Sequence, residues 1–242
     1  MIKIIRSSEH YHNEEDWLST YWHFSFAHYQ DPNKMNFGPL RVFNDDIIQP
    51  GTGFDLHLHR DIEIVTYVID GELEHRDNQG NHGMIKPGEI QRMTAGSGIL
   101  HSERNRSKEK PLRLLQMWIF ANRRGLEPSW EQRRFDKQAR SDKLLPVIVP
   151  ENAKDGQALH IHQDAAIYVS SLVPGSKVEH RLVQGRKAYI FVIEGRAKLN
   201  DNNTMETRDA AKVENEGRLA IQADKPTELI LLELPEKYAI NN

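Results

Sequence analysis

Short apolar or alternating runs recur along the chain with turn-prone residues between them, the pattern of antiparallel strands. In the first half the runs are "LRVFND", "EIVTYVID", "ELEHRD", "GMIK", "IQRMT" and "LRLLQMWIF", punctuated by "DNQG", "KPGE" and "AGSG". "LRLLQMWIF" is apolar on both parities, which predicts a strand covered on both faces. After about residue 121 comes a polar, Arg-rich connection, "ANRRGLEPSWEQRRFDKQARSDK", with little strand character and an expected short helix around 129–139. Strand patterns then resume with "PVIVP", "ALHIH", "AIYVSSLV", "KVEHRLV", "KAYIFVIEG", "RAKLND", "RLAIQA" and "TELILLELP".

The two halves echo each other. "YVIDGELEHRD" and "FVIEGRAKLND" both run strand, acidic residue, Gly, strand, which two β-sandwich domains related by an internal repeat would produce. An all-β chain is expected, with domains at residues 1–125 and 126–242.

Composition narrows the chemistry. With 32 basic and 35 acidic residues the formal charge is −3, and no basic stripe marks a nucleic-acid track. There are no cysteines, so disulfides, iron–sulfur clusters and thiolate catalysis are excluded, and any metal site must be built from His, Asp and Glu. The amino terminus lacks the apolar core of a signal peptide, and no stretch approaches the roughly eighteen apolar residues of a membrane span. The expectation is a soluble cytoplasmic protein.

Two segments carry candidate metal ligands. In "HLHRDIEIV", His57 and His59 share strand parity, with Cα atoms about 7 Å apart, so both imidazoles point to one face. "GILHSERN" adds His101 and Glu103, again two residues apart. Twelve histidines in 242 residues should give roughly 0.6 His-x-His pairs by chance, and three occur, so a pair alone says little. His10 and His12 lie in a polar stretch ahead of the first clear strand, and His160 and His162 have no third ligand at a comparable offset; both pairs read as exposed or locally hydrogen-bonded. What sets the 57/59 pair apart is its context: Gly51 before it, Glu63 and Gly71 after it, then "PGE" leading to His101 and Asn105.

That spacing resembles the two motifs of the cupin superfamily, with Glu63 one residue nearer the His pair than is common and the second motif stretched between Pro87 and His101. "HFSFAHYQDP", "LRVFNDD", "GTGFDLHLHRDIEIVTYVIDGELEHRDNQG", "KPGEIQRMTAGSGILHSERN" and "WEQRRFD" together resemble pirin, in its bacterial quercetin-dioxygenase branch, from about residue 16 to 136 and more loosely beyond. The resemblance implies a bicupin, two cupin-type antiparallel β-sandwich or barrel domains packed together. It implies His57, His59, His101 and Glu103 as metal ligands, with Glu103 also the catalytic proton acceptor. Glu63 is left with two readings, a hydrogen-bond partner that orients a ligating histidine or a residue serving the barrel.

Three neutral imidazoles and one carboxylate give a net +1 site with a divalent ion and suit Fe(II), with Mn, Co, Ni and Cu possible; iron is named from the resemblance. The same resemblance implies quercetin 2,3-dioxygenase activity, opening a flavonol heterocycle with O2 uptake and CO release. A metal-dependent, redox-sensing interaction protein is the alternative, and an apo-cupin binding a small acid a third. Trp17, Trp22, Phe24 and Phe26 read first as core and second as pocket wall. At the position echoing "HLH" the carboxyl-terminal half offers only His180, in "VEHRLV", and it is expected to be metal-free.

Overall fold

The computed structural model describes residues 1–240. Among them are 22 strands, no α-helix, and 3-10 turns at Ser7–Glu9 and Pro32–Lys34. The strands of the first half are β1 (Ile2–Ile5), β2 (Tyr11–Glu14), β3 (Leu18–Trp22), β4 (Leu40–Ile48), β5 (Gly53–His59), β6 (Ile62–Asp70), β7 (Leu73–Asp77), β8 (His82–Ile85), β9 (Glu89–Thr94), β10 (Ile99–Asn105), β11 (Leu112–Phe120) and β12 (Ser129–Arg134). Those of the second are β13 (Leu145–Pro150), β14 (Leu159–Ile161), β15 (Ala166–Leu172), β16 (Lys177–Arg181), β17 (Arg186–Glu194), β18 (Arg196–Leu199), β19 (Asn203–Glu206), β20 (Ala210–Glu214), β21 (Arg218–Ala223) and β22 (Thr227–Pro235).

The chain forms two compact β units, one of residues 11–134 with 161–163, the other of 1–10, 135–160 and 164–238. The first carries a seven-stranded sheet, β12-β9-β6-β11-β4-β3-β2, and a four-stranded sheet, β5-β10-β7-β8. The second repeats this plan with β1-β20-β17-β22-β15-β13-β14 and β16-β21-β18-β19. The sequence echo has a structural meaning: at Gly71 and again at Gly195 the chain leaves the large sheet for the small one.

These units depart from a single cut at 125/126. Residues 129–134 pair with β9 from Ser129↔Thr94 to Arg134↔Glu89, and β1 pairs with β20 at the corresponding edge of the other unit. The helix expected over 129–139 is therefore a strand in its first half. Glu, Gln and Arg favour helix locally, but the open edge of β9 and the Arg92–Glu131 ion pair (2.6 Å) override a weak propensity.

Strand β11 meets its expectation. Leu112 and Leu114 join Leu18, Ile48, Val68, Leu73 and Ile85 in one core cluster, while Leu115, Met117 and Ile119, the opposite parity, are also buried. Each fully buried side chain of this size contributes about 1.5–3 kcal/mol. The second unit has its own core, with Ile190, Val192, Leu229 and Leu231 at its centre. No helix among the described residues is long and apolar enough to cross a membrane.

Candidate metal centre

Strands β5 and β10 pair so that His57 lies opposite His101. The register shifts between His101 and Glu103, so Glu103 faces Phe54. On β5 Leu56 and Leu58 point outward, 64% and 57% exposed, whereas His59 is buried. His101 and Glu103 are both buried on the inward parity of β10.

One nitrogen each of His57, His59 and His101 lies within 4.8 Å of the others. The Nε2 atoms of His57 and His101 face each other at 3.0 Å. His57 Nδ1 donates to the Asp55 carbonyl oxygen at 2.7 Å, which leaves its Nε2 lone pair bare. Burial, reinforced by the neighbouring imidazoles, pushes His59 and His101 down to about 3, so both are neutral near pH 7. Neutral imidazoles with converging lone pairs are what a first-row metal requires, and the donor set fits one such ion.

Glu103 is held from both sides. Gln116 Nε2 donates to one carboxylate oxygen at 2.7 Å and Gln91 Nε2 approaches the other at 3.4 Å. Each amide is itself oriented by an indole: Trp118 Nε1 donates to Gln116 Oε1 at 3.1 Å, and Trp130 Nε1 to Gln91 Oε1 at 2.8 Å. Glu103 also forms a second cluster with His101 and His75.

His57, His59 and Glu103 line a cavity of about 130 Å³ together with Trp22, Phe26, Asn44, Asp46, Gln116 and Trp118. Phe54 and His57 also border an outer groove of about 640 Å³ that includes Trp17 and Arg104. Of the four aromatics singled out in the sequence, Trp22 and Phe26 wall the cavity and Trp17 the groove, while Phe24 is buried outside both. Asp46 is buried, accepts a hydrogen bond from Thr20 Oγ1, and is pushed up to about 7 by burial, with Asp45 and Glu103 adding to the rise. A larger cleft of about 910 Å³, in the other unit, is lined by Arg6, Glu194, Arg196, Glu206, Asp209 and neighbours, without a histidine.

The hydrogen bonds of Glu63 run to Thr94 and His162. It accepts from Thr94 Oγ1 (2.9 Å) and the His162 backbone N–H (3.4 Å), so it ties β6 to β9 and to residue 162, and burial raises its carboxyl. His12 bonds Ser19 (3.0 Å) and stacks on Tyr21, and His160 contacts two backbone carbonyls. His10 is buried rather than exposed. In the second unit Leu219 stands opposite His180, and His180 bonds Glu233 at 2.7 Å, which Arg186 also holds.

Sequence reading missed His75, Gln91, Gln116, Trp118, Trp130 and Asp46. The signal available was a polar residue inside an otherwise apolar strand, such as Gln116 in "LRLLQMWIF", since a buried amide needs partners.

The family model described as Pirin matches residues 5–119, and that of the quercetinase C-terminal cupin domain matches residues 147–234. The chain is 41% identical to quercetin 2,3-dioxygenase of Escherichia coli K12, over 97% of this chain and 99% of that one. The crystal structure of YhhW from E. coli superposes with a TM-score of 0.93 at 39% identity, covering 98% of this chain and 99% of that one. Bacterial pirin YhhW in complex with nickel(II) gives 0.91 at 40%, over 97% and 99%.

Proposed function

The chain belongs to the pirin family, and on that premise we propose that it is a metal-dependent dioxygenase that opens the heterocycle of a flavonol such as quercetin, taking up O2 and releasing CO. The observation that carries this reading is the convergence of three imidazoles, His57, His59 and His101, two of which, His57 and His59, line an aromatic-walled cavity together with the buried carboxylate of Glu103. His57, His59, His101 and Glu103 would hold one divalent metal, Fe(II) in the native protein, with Mn, Co, Ni or Cu accepted by the same donors. The nickel(II) complex of YhhW supports a divalent ion in this family. Bound there, the metal supplies Lewis acidity toward a chelating oxyanion and an open position for dioxygen.

The remaining work falls to the protein. Glu103, oriented by Gln116 and Gln91, would accept the proton of the substrate's 3-hydroxyl. Trp22, Phe26 and Trp118 exclude water and flank a planar ring. The inner cavity is close to the roughly 150 Å³ that takes a single benzene ring, so the rest of a flavonol would extend past Phe54 into the outer groove. The setting is cytoplasmic, with no nucleic acid or membrane as partner.

One observation favours the regulatory alternative: exposed Leu56 and Leu58 alternate with His57 and His59 on β5, which links metal occupancy to an apolar surface that a protein partner could read. Oxygen uptake by the metal-loaded protein over a panel of flavonols and enediols separates the two. Turnover is expected for at least one flavonol; metal-dependent partner binding without turnover on any substrate overturns the enzyme reading.

A further inference from the structure

We propose that His75 and Asp77 are positioning residues for the metal centre: they form a relay that decides which nitrogen of His101 carries the hydrogen, and so aims a bare Nε2 lone pair at the ion. This rests on the metal-site reading above.

Asp77 sets the polarity of the relay. Its buried side chain accepts from the backbone N–H groups of Gln79 and Asn81, both at 2.9 Å, and from Asn81 Nδ2 at 2.9 Å. Three N–H donors thus converge on its two oxygens, the surroundings of a carboxylate that accepts throughout. An ionised carboxylate only accepts. His75 Nε2, 3.1 Å from Asp77 Oδ2, therefore carries a hydrogen and donates it.

With its one ring hydrogen on Nε2, His75 offers a bare Nδ1 to His101 Nδ1, 3.4 Å away. Two nitrogens can share a hydrogen bond there only if His101 Nδ1 is the donor. The Nε2 of His101 is then left without hydrogen, pointing at the bare Nε2 of His57. The His75 ring is fixed for this task, fully buried and stacked on Trp130 with centroids 5.2 Å apart and planes 17° apart. Hydrogen-bonded partners behind a ligating histidine fix its tautomer and raise its basicity, and their loss commonly weakens metal binding by about 10–100-fold.

The test uses metal-free full-length protein, with nickel(II) as the probe. Nitrogen-15 NMR of the unsubstituted protein should show His101 protonated at Nδ1 and bare at Nε2. Nickel(II) should bind about 10–100-fold more weakly to His75→Leu. His75→Gln should recover affinity to within a few-fold, because its amide oxygen can accept from His101 while its NH2 donates to Asp77. A purely packing role for His75 would weaken both variants alike. Hydrogen on His101 Nε2 overturns the proposal, as does a His75→Leu affinity within about twofold of the parent. Should the parent itself bind no nickel, the metal-site reading fails, and the His101 nitrogen shifts still decide the relay without any variant having to fold.

Discussion

That His57 shares a face with His59, and His101 with Glu103, was legible in the sequence because strand parity is local: residues two apart share a face wherever the strand runs; grouping the four as ligands came from the family resemblance. What surrounds them was not, since Gln91, Gln116 and Asp46 reach the site through cross-strand registers that no short window contains. Their roles give two residue-level expectations. Glu103→Gln keeps an oxygen donor but not the ability to take a proton near neutral pH, so metal-loaded Glu103→Gln should lose flavonol turnover by about 10²–10⁴-fold. Metal content is measured in the same samples, and turnover within a few-fold of the parent removes the base role.

Asp46 gives a pH-dependent expectation. Its folded carboxyl is raised from 3.8 to about 7, so the folded state holds a proton that the unfolded chain releases, and stability falls as pH rises through that window. Asp46→Asn removes the term. In metal-free protein the variant should melt higher than the parent at pH 8, by up to about 4 kcal/mol, and the gain should shrink toward pH 4. An equal difference at both pH values would show that the Asp46 proton is not involved.

Among the elements, β4, β6, β11, β17 and β22 follow their apolar runs closely because burial on both faces writes a continuous pattern. Strand β12 was hidden: its polar residues lie on a sheet edge, and only pairing with β9 makes it a strand. It nevertheless brings Trp130 to the site, against His75 and Gln91. The β5–β10 pair depends on Gly53. Its φ of +154° is one that L side chains rarely adopt, and a Cβ there would stand 2.2 Å from the Glu103 carbonyl oxygen and 2.6 Å from Arg104 Cα, both backbone. Gly53→Ala should therefore destabilise the protein by about 1–3 kcal/mol and weaken nickel(II) binding by displacing His57. Gly51→Ala, with open space around its Cβ, should cost only about 1 kcal/mol and leave affinity unchanged. Equal nickel(II) affinities in the two variants would remove the link between this backbone contact and the site.

Across the whole molecule one strand plan appears twice with different contents. The repeat was legible in "YVIDGELEHRD" and "FVIEGRAKLND", whereas the exchange of edge strands β1 and β12 was not, because both follow from pairing partners far along the chain. The first unit brings three histidines together; in the second, His180 is engaged by Glu233. One equivalent of metal per chain is expected, kept in His180→Ala and in His10→Ala, His160→Ala and His162→Ala, and lost in His57→Ala and His101→Ala. Elemental analysis after gel filtration reads this directly, and metal retained in a His57/His101 double variant would move the site elsewhere.

Carbon monoxide evolved per dioxygen consumed, with quercetin and metal-loaded protein, tests the central claim most directly. The account predicts about one CO for each O2 and none from His101→Ala at equal protein concentration; metal-loaded protein that leaves quercetin and dioxygen untouched would contradict it.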